Sequence, residues 1–192
     1  MILGITGGTG CGKTTLLNVI RAQGGLVLDC DAIYHELLQT DAQLLSDIEN
    51  RFPGTVEDGQ LQRKKLGAIV FNDKAALQDL GRITGRYVYN EVLRRMETKN
   101  DLVAIDAIGL FGGLHKLCDV TVAVTAPEEC RVQRLLLRDG ITEEYARSRI
   151  AAQKPQSEFS RLCDHTLHND STKEAFEKKC LAFLQGLGII KG

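Results

Sequence analysis

The sequence has few of the features that mark membrane, secreted or nucleic-acid-binding chains. No apolar run approaches the roughly 20 residues needed to span a bilayer. The opening residues 1–6 contain no basic segment and no long apolar stretch before a cleavage site, so we predict a cytoplasmic protein with no membrane partner. Lysine and arginine number 24 against 25 acidic residues. The formal net charge of −1 lacks the basic excess of nucleic-acid-binding domains, so we expect no nucleic-acid partner.

Cysteine is present but scattered. None of the six cysteines forms a C-x-x-C pair, and no histidine lies at zinc-finger spacing, so a structural metal site is not expected. In a reducing compartment such residues are free thiols, mostly small and buried. Their positions are Cys11, Cys30, Cys118, Cys130, Cys163 and Cys180.

Proline is scarce, with three residues, and no proline- or serine-rich linker divides the chain. Apolar residues make up 43% and charged residues 26%, which is ordinary globular composition and fits neither disorder, collagen nor a coiled coil. A chain of 192 residues can bury roughly 70% of its unfolded surface in one core. We therefore predict a single domain spanning residues 1–192.

Short apolar runs alternate with helical patterns along the chain. Continuous runs of this length suit strands that are buried on both faces of a parallel sheet. The alternation predicts an α/β fold with a doubly wound, parallel five-stranded sheet. The five candidate strands are Met1 to Ile5, Leu26 to Leu28, Leu102 to Ile105, Val120 to Val124 and the weaker His165 to His168.

Some seventy residues separate the second and third strands, more than one crossover helix requires. The core is thus assigned to residues 1–31 and 101–192, with a mostly helical insertion over about 32–100. Capping-box patterns predict helix starts at Thr40 and Ser171. Pro127 fits the first turn of a further helix, and Gly140 fits its end.

The strongest motif follows the first strand. The segment from Gly7 to Thr14 matches G-x-x-x-x-G-K-[ST], whose glycines let backbone N–H groups point at phosphate oxygens. Lys13 would reach the β and γ phosphates, and the Thr14 hydroxyl would ligate Mg²⁺. Between a strand and a helix, such a loop predicts a P-loop NTPase-like fold with ATP and Mg²⁺ as ligands. The predicted nucleotide-binding residues here are Gly8, Thr9, Gly10, Cys11, Gly12, Lys13, Thr14 and Thr15.

Two acidic positions follow strands and are candidates for chemistry. Asp106 ends the third strand and could hold Mg²⁺ in a Walker B arrangement, although a turn aspartate fits the same pattern. Asp31 follows the second strand and could accept the proton of an attacking hydroxyl; the alternative is that it caps the next helix. We favour catalysis for Asp31 and capping for Asp29.

Arginines cluster late in the chain. Arg131, Arg134 and Arg138 share one helical face, Gly140 breaks the helix, and an arginine-rich helix follows. This arrangement predicts a lid over about residues 138–155, which would neutralise the transferring phosphoryl group and exclude water. We expect Arg138 to be catalytic and Arg149 to bind the nucleotide, whereas Arg131 and Arg147 fit a solvated helix face.

Taken together, these motifs resemble the dephospho-coenzyme A kinase family. The resemblance covers most of the chain and rests on the order and spacing of several short motifs. The motifs are Gly4 to Thr15, Asp29-Cys30-Asp31, Arg51-Phe52, Asp58-Gly59 with Leu61 and Arg63, Val70-Phe71, Asp106 with Leu110-Phe111, Arg138-Asp139-Gly140, Ala146 with Arg149, Ile150 and Gln153, and Asn169-Asp170.

The resemblance implies transfer of the ATP γ-phosphoryl group to the ribose 3′-hydroxyl of dephospho-coenzyme A, giving coenzyme A and ADP. It implies that Asp31 is the catalytic base, that the helical insertion holds the acceptor, and that Asn169 lies near the adenine. The segment from Arg138 to Gln153 would be the lid.

The chain departs from the family pattern on the acceptor side. Gly85-Arg86 stands where the family usually has His-Pro, and Gly112-Gly113 follows Leu110-Phe111 where an acid is usual. Two alternatives therefore stay open at this stage. One is another small-molecule P-loop kinase, of the nucleoside or nucleotide type. The other is a nucleotide-binding regulatory protein with a decayed acceptor site.

Overall fold

A computed structural model describes residues 1–98 and 100–190 of the chain. Two compact units are distinguished. Residues 1–28 and 100–190 belong to the first, here called the sheet unit. Asp29–Thr98 forms the second, here called the helical unit. The predicted insertion, about residues 32–100, falls mainly within the helical unit.

The strands lie in both units. Those of the described residues are β1 (Ile2–Thr6), β2 (Leu26–Asp29), β3 (Val56–Glu57), β4 (Gln60–Leu61), β5 (Val103–Asp106), β6 (Val120–Thr125) and β7 (His165–His168).

Helices make up most of the rest of the described chain. They are α1 (Lys13–Ala22), α2 (Cys30–Thr40), α3 (Ala42–Arg51), α4 (Arg63–Val70), α5 (Lys74–Met96), α6 (Glu128–Asp139), α7 (Glu143–Ala151), α8 (Gln156–Leu162) and α9 (Lys173–Gly186). Two short 3₁₀ helices cover Leu110–Gly112 and Leu114–Leu117. Over residues 1–98 and 100–190, no helix has both the length and the apolar character needed to cross a bilayer.

The five predicted strands form one parallel sheet in the order β2-β5-β1-β6-β7, which confirms the α/β prediction. Strand β1 lies at the centre and pairs in parallel with β5 on one side and β6 on the other. The strand order therefore reverses at β1, and in open α/β sheets ligands bind at the carboxyl end of the strands where this reversal occurs. The glycine-rich loop begins at that end, after Thr6.

Helices α1 and α9 cover part of the sheet with a continuous apolar core. Apolar side chains from these helices and from strands β1, β5, β6 and β7 are almost fully removed from water, which is the main favourable contribution to folding. They include Leu3, Ile5, Leu16, Ile20, Val122, Val124, Leu167, Phe176 and Leu184. The loop after β1 is thus attached to a rigid base.

Helix starts agree with the sequence only approximately. The predicted caps Thr40 and Ser171 are wrong by one residue: Asp41 caps α3 and Thr172 caps α9. Thr40 instead ends α2, where its hydroxyl donates to the Glu36 carbonyl at 2.9 Å. Asp41 rather than Thr40 caps α3 because its carboxylate accepts from two backbone N–H groups, those of residues 43 and 44, each at 2.9 Å. Gly140 ends α6 in the left-handed conformation, as predicted.

The helical unit also contains a small hairpin, within the segment for which the sequence predicted a mostly helical insertion. Asp58 and Gly59 connect β3 to β4, and both have positive φ, 50° and 71°. That geometry is typical of the tight turn that Asp-Gly favours between antiparallel strands. Glu49 fixes the start of the hairpin because its carboxylate accepts N–H bonds from residues 54, 55 and 56. These bonds hold the pKa of Glu49 below its usual value.

Neither glycine departure disturbs the chain locally. Gly85 lies inside the 23-residue helix α5, and a β-carbon there would meet nothing within 4 Å. The adjacent Arg86 pairs with Asp47, whose carboxylate also accepts a bond from Tyr87 at 2.7 Å. Gly112 ends a 3₁₀ helix, and a β-carbon there would also meet no neighbour within 4 Å.

An ion-pair cluster near the end of α5 predicts a pH-dependent stability. Glu91 accepts from Arg94 at 2.7 Å and from Arg95 at 2.6 Å, and these contacts lower its pKa from 4.5 to about 2. A lowered carboxyl pKa stabilises the fold fully above its ordinary value, and this contribution is lost as the pH falls from 4.5 towards 2. We expect Glu91→Gln to cost about 1 kcal/mol at pH 6, allowing for screening at the exposed Arg94, and about a quarter of that at pH 2.5.

Urea unfolding at the two pH values measures this difference. Glu144→Gln is the matched control, because Glu144 is exposed in the first turn of α7. An equal cost for Glu91→Gln at both pH values would show that the arginines do not act on the Glu91 carboxylate.

Candidate active site

The loop between β1 and α1 is shaped by glycines that no other residue can replace. Gly7, Gly10 and Gly12 have φ values of 142°, 75° and 97°, in the region where side chains are strained. A β-carbon on Gly7 would lie 2.2 Å from the Val124 carbonyl oxygen, and one on Gly12 would lie 2.2 Å from Asn169 Nδ2. The loop can therefore pass close to β6 and to Asn169 only with glycine at these positions.

The first turn of α1 is open to an anion. Its N-cap is Gly12, which has no side chain to accept the free N–H groups, and no acidic residue lies in the turn. These groups and the helix dipole give the end of the helix a partial positive charge. Lys13 adds a full positive charge, and its Nζ donates to the Gly7 carbonyl at 2.8 Å. The Thr14 side chain is exposed in the same turn.

Asn169 supports the loop from the end of β7. It is 4% exposed, and its Nδ2 donates to the Cys11 carbonyl at 2.9 Å. Arg134 connects Asn169 to the loop, since its Nη2 donates to Asn169 Oδ1 at 3.0 Å and its Nη1 donates to the Gly10 carbonyl at 3.2 Å. Both residues thus contact backbone carbonyls of the loop, where a defined amide orientation is needed.

Gly12→Ala tests how tightly this support fits. We expect the added methyl group to displace the Asn169 amide and to raise the KM for ATP at least tenfold, with a destabilisation of about 2–3 kcal/mol from the lost bond and the strained φ. Gly24→Ala is a matched control, since Gly24 has φ 78° but a β-carbon there meets nothing within 4 Å. This control should lose about 1–2 kcal/mol and keep the wild-type KM, because only the backbone penalty applies. Equal KM values for the two variants would contradict the close fit.

Arg131 differs from the sequence prediction. The sequence predicted a solvated side chain, but Arg131 is only 4% exposed, and its Nε donates to the Thr9 carbonyl at 2.8 Å. Gln153, which follows α7, accepts from the Thr9 backbone N–H at 2.8 Å. The prediction was wrong because Arg131 lies on the side of α6 that packs against the loop. Arg147 does fit the solvated-face prediction, because it pairs at the surface with Glu128, Glu129 and Glu143.

Cys11 is a buried structural thiol. Its side chain is fully buried, and Sγ lies 3.5 Å from Gln156 Oε1, which also accepts from the Ala126 backbone N–H at 2.7 Å. Burial raises the pKa of the Cys11 thiol even though Arg131 and Lys13 act in the opposite direction. A protonated, enclosed thiol is a poor nucleophile, so Cys11 contributes packing rather than redox chemistry.

The predicted lid contains two arginines joined by one acid. Arg138 Nε donates to Asp139 Oδ1 at 2.6 Å, and Arg149 Nη1 donates to Asp139 Oδ2 at 2.7 Å. The two guanidinium groups hold the pKa of the Asp139 carboxyl well below its usual range. Helices α6 and α7 pack together through their own small core of Val132, Leu135, Ala146 and Ile150. Both predicted lid arginines are thus brought to one carboxylate.

Two side-chain oxygens of the sheet unit suit Mg²⁺. Asp106 is the last residue of β5 and lies in register with Ile5, two residues before the glycine-rich loop begins. Thr14 offers a hydroxyl in the first turn of α1. The described residues contain no group of three or more His, Cys, Asp or Glu placed to bind a metal. Mg²⁺ needs no such group, because it usually keeps several waters and takes one or two protein oxygens with substrate phosphates.

Asp31 belongs to the helical unit. Asp29 caps α2, as predicted, because its Oδ1 accepts from the Asp31 and Ala32 N–H groups at 3.0 Å each. Asp31 is exposed in the first turn of α2. The capping alternative for Asp31 is therefore excluded, and its carboxylate is accessible.

The contacts of Arg131, Arg134 and Gln153 with the loop were missed at the sequence level. The shared helical face of Arg131 and Arg134 was visible in the sequence, but its direction was not. A glycine-rich loop has many carbonyl groups that need hydrogen-bond donors. This requirement could have indicated that the arginine face of α6 is buried against the loop.

The parallel sheet and the glycine-rich loop ending in Lys13-Thr14 define a P-loop kinase fold. The dephospho-CoA kinase family model matches residues 1–175. The chain belongs to the dephospho-CoA kinase family, whose members are ATP-dependent kinases. This result favours the family over the two alternatives left open by the sequence.

Individual relatives and solved structures are similar to this chain over nearly its full length. A dephospho-CoA kinase from Mesorhizobium japonicum is 37% identical over 97% of this chain and 96% of its own length. The crystal structure of TT1252 from Thermus thermophilus has a TM-score of 0.81 at 30% identity, covering 97% of both chains. The dephospho-CoA kinase from Campylobacter jejuni has a TM-score of 0.67 at 25% identity, covering 97% of this chain and 96% of its own.

Proposed function

We propose that this chain transfers the γ-phosphoryl group of ATP to the ribose 3′-hydroxyl of dephospho-coenzyme A, giving coenzyme A and ADP. The observation that carries the proposal is the loop from Gly7 to Thr14, with the uncapped start of α1 and the Lys13 ammonium beside it. Family membership then selects the acceptor. A phosphate-binding loop alone would identify the nucleotide but not the alcohol.

The loop would bind the phosphates of ATP. Backbone N–H groups of the loop and of the first turn of α1 donate to phosphate oxygens, except that of Thr9, which Gln153 accepts, and Lys13 exchanges its bond with the Gly7 carbonyl for the β and γ phosphates. This exchange is favourable because a charged oxygen is a stronger acceptor than a carbonyl. Asn169 would keep the loop in shape from behind and border the adenine side of the site.

Asp31 would act as the base. Its carboxylate accepts the proton of the 3′-hydroxyl while the hydroxyl oxygen attacks the γ-phosphorus, and the bond from that phosphorus to the β–γ bridging oxygen breaks. ADP leaves, and the proton on Asp31 passes to solvent. The exposed position of Asp31, freed from capping by Asp29, supports this assignment.

Arg138 and Arg149 would neutralise the transferring phosphoryl group. In the described structure both bind Asp139, and a phosphate would compete with this carboxylate for the same guanidinium donors. Arg–phosphate bonds are strong and geometrically specific, so the exchange positions the lid over the nucleotide. Closure of the lid would also exclude water from the site.

The helical unit would hold the acceptor. It contains an open cavity of about 170 Å³ with Tyr34, Leu66 and Phe71 among its walls and Arg63 at its lining. Phe71 is 82% exposed, so its ring is accessible to a ligand at this cavity. The apolar walls suit an organic arm, and Arg63 suits a phosphate group of the acceptor.

Thr14 and Asp106 would hold Mg²⁺, either directly or through water. When bound, the ion neutralises charge on the β and γ phosphates. The hard oxygen donors at these two positions support this assignment.

A coupled assay for ADP release with dephospho-coenzyme A tests the proposal. We expect ADP release that depends on the acceptor, with a product heavier by one phosphoryl group. Coenzyme A is the matched control acceptor, because its 3′-position is already phosphorylated and can give no transfer. If folded protein that binds ATP shows no turnover above its ATPase background, the proposed acceptor is wrong.

A further inference from the structure

Arg131 is a buried cation that contacts the phosphate-binding loop and a neutral side chain. Its Nε donates to the Thr9 carbonyl at 2.8 Å, and its Nη2 donates to Gln153 Oε1 at 3.2 Å. The side chain fits the loop closely, since a β-carbon on Gly8 would lie 2.5 Å from the same Nη2. With 4% exposure, the guanidinium group has almost no contact with water.

Within the described part of the chain, no counter-ion accompanies this charge. Among residues 1–98 and 100–190, no carboxylate lies within 4.0 Å of the Arg131 guanidinium, whereas Arg138, Arg147 and Arg149 all have acidic partners. Burial of an unpaired charge is costly, and arginine cannot relieve the cost by losing its proton. The described fold therefore holds an uncompensated positive charge behind the loop.

Both backbone polar groups of Thr9 are fixed from this side. Gln153 accepts its N–H at 2.8 Å, and Arg131 binds its carbonyl oxygen. In a trans peptide, the carbonyl and the following N–H point in opposite directions. Arg131 therefore turns the Gly10 N–H away from itself, and this fixes the direction of one donor of the loop.

We propose that Arg131 is a positioning residue of the phosphate site, and that the nucleotide's phosphates are the counter-ion for its buried charge. The proposal rests on the binding of ATP by the loop, as in the proposed function. It adds that binding strength depends on the charge of Arg131 as well as on the shape of the loop, and that this dependence increases with the number of phosphates.

Gln153→Glu separates charge from shape. The substitution is nearly isosteric and keeps an oxygen to accept from Thr9 and Arg131, but it places a carboxylate 3.2 Å from the guanidinium. We expect the nucleotide-free protein to melt at a higher temperature, since the buried charge is now paired. We expect its Kd for ATP to rise about tenfold, which is the typical effect of losing one charge-assisted interaction.

Arg131→Gln removes the charge and keeps donor groups. Its Kd for ATP should also rise about tenfold, with Arg131→Lys giving partial rescue because the charge returns without the paired donors. For both Arg131→Gln and Gln153→Glu, the loss should be greatest for ATP, smaller for ADP and close to zero for adenosine. Arg161→Gln, at an exposed arginine of α8, makes the same charge change and should alter these Kd values less than twofold.

Calorimetric titration with ATP, ADP and adenosine, together with thermal unfolding, gives the required measurements. The proposal is overturned if Gln153→Glu binds ATP like the wild type, or if Arg131→Gln weakens adenosine as much as ATP. Either result would show that Arg131 only packs against the loop. None of these titrations contains the acceptor, so a failure of transfer to dephospho-coenzyme A would leave their outcome unchanged.

Discussion

Lys13→Ala is expected to lower kcat for phosphoryl transfer by about 100- to 1,000-fold and to weaken ATP binding. The reason lies in the position of the ammonium group at the start of α1, where Nζ lies 2.8 Å from the Gly7 carbonyl. That position allows it to follow the γ-phosphoryl group as charge develops on it. The remaining backbone donors are too weak to replace a full positive charge.

ADP release under saturating ATP measures the kcat effect, and calorimetric titration measures the loss of binding. Arg21→Ala is a suitable control, since Arg21 is a cation in the last turn of the same helix and bonds to Asn18 Oδ1 at 3.0 Å. It should keep kcat within twofold of the wild type. A Lys13→Ala enzyme with a comparable kcat would mean that the loop binds phosphate without Lys13.

Local sequence signals were sufficient to locate the strands of the sheet and the glycine-rich loop. Strand β1 is an apolar run followed at once by glycines and then by an amphipathic helix, and each of these signals extends over only a few residues. Buried parallel strands need apolar side chains on both faces, so their position is visible without knowledge of their partners. The strand order β2-β5-β1-β6-β7 was not predicted, because right-handed connections reduce the number of possible orders without selecting one.

The predictions of the two helix caps were wrong for a local reason. At both α3 and α9 the first position of the capping box lies one residue before the true cap, and the neighbouring Asp41 and Thr172 are good caps themselves. The sequence cannot rank two adjacent capping residues, because their free energies differ little. The hairpin of β3 and β4 could have been predicted, since Asp58-Gly59 carries its turn signal.

The side-chain contacts that support the glycine-rich loop could not have been predicted from local sequence signals. Arg131 and the Thr9 carbonyl that it binds are 122 residues apart in the chain. An arginine on an amphipathic helix is usually solvated, and only the packing of α6 against the loop removes it from water. The same holds for Asn169, whose contact with the Cys11 carbonyl spans 158 residues. Local patterns locate the residues of the site, whereas tertiary packing decides which of them support the others.

Asp31→Asn should reduce kcat about 100-fold or more and leave the Kd for ATP unchanged. The amide is the same size as the carboxylate but cannot accept the proton of the attacking hydroxyl. ATP binding should be spared because the groups proposed to bind the phosphates, the loop and Lys13, belong to the sheet unit, whereas Asp31 belongs to the helical unit. ADP release with saturating dephospho-coenzyme A, and ATP titration in its absence, measure the two quantities separately.

Asp29→Asn is the matched control for Asp31→Asn. It removes a carboxylate two residues away, but asparagine caps helices as well as aspartate does, so α2 should keep its start and the enzyme its stability. If both variants lose activity equally, the effect comes from the negative charge at the start of α2 rather than from proton transfer. If Asp31→Asn transfers phosphate at nearly the wild-type rate, Asp31 is not the base. The attacking hydroxyl would then lose its proton to solvent or to the phosphoryl oxygens.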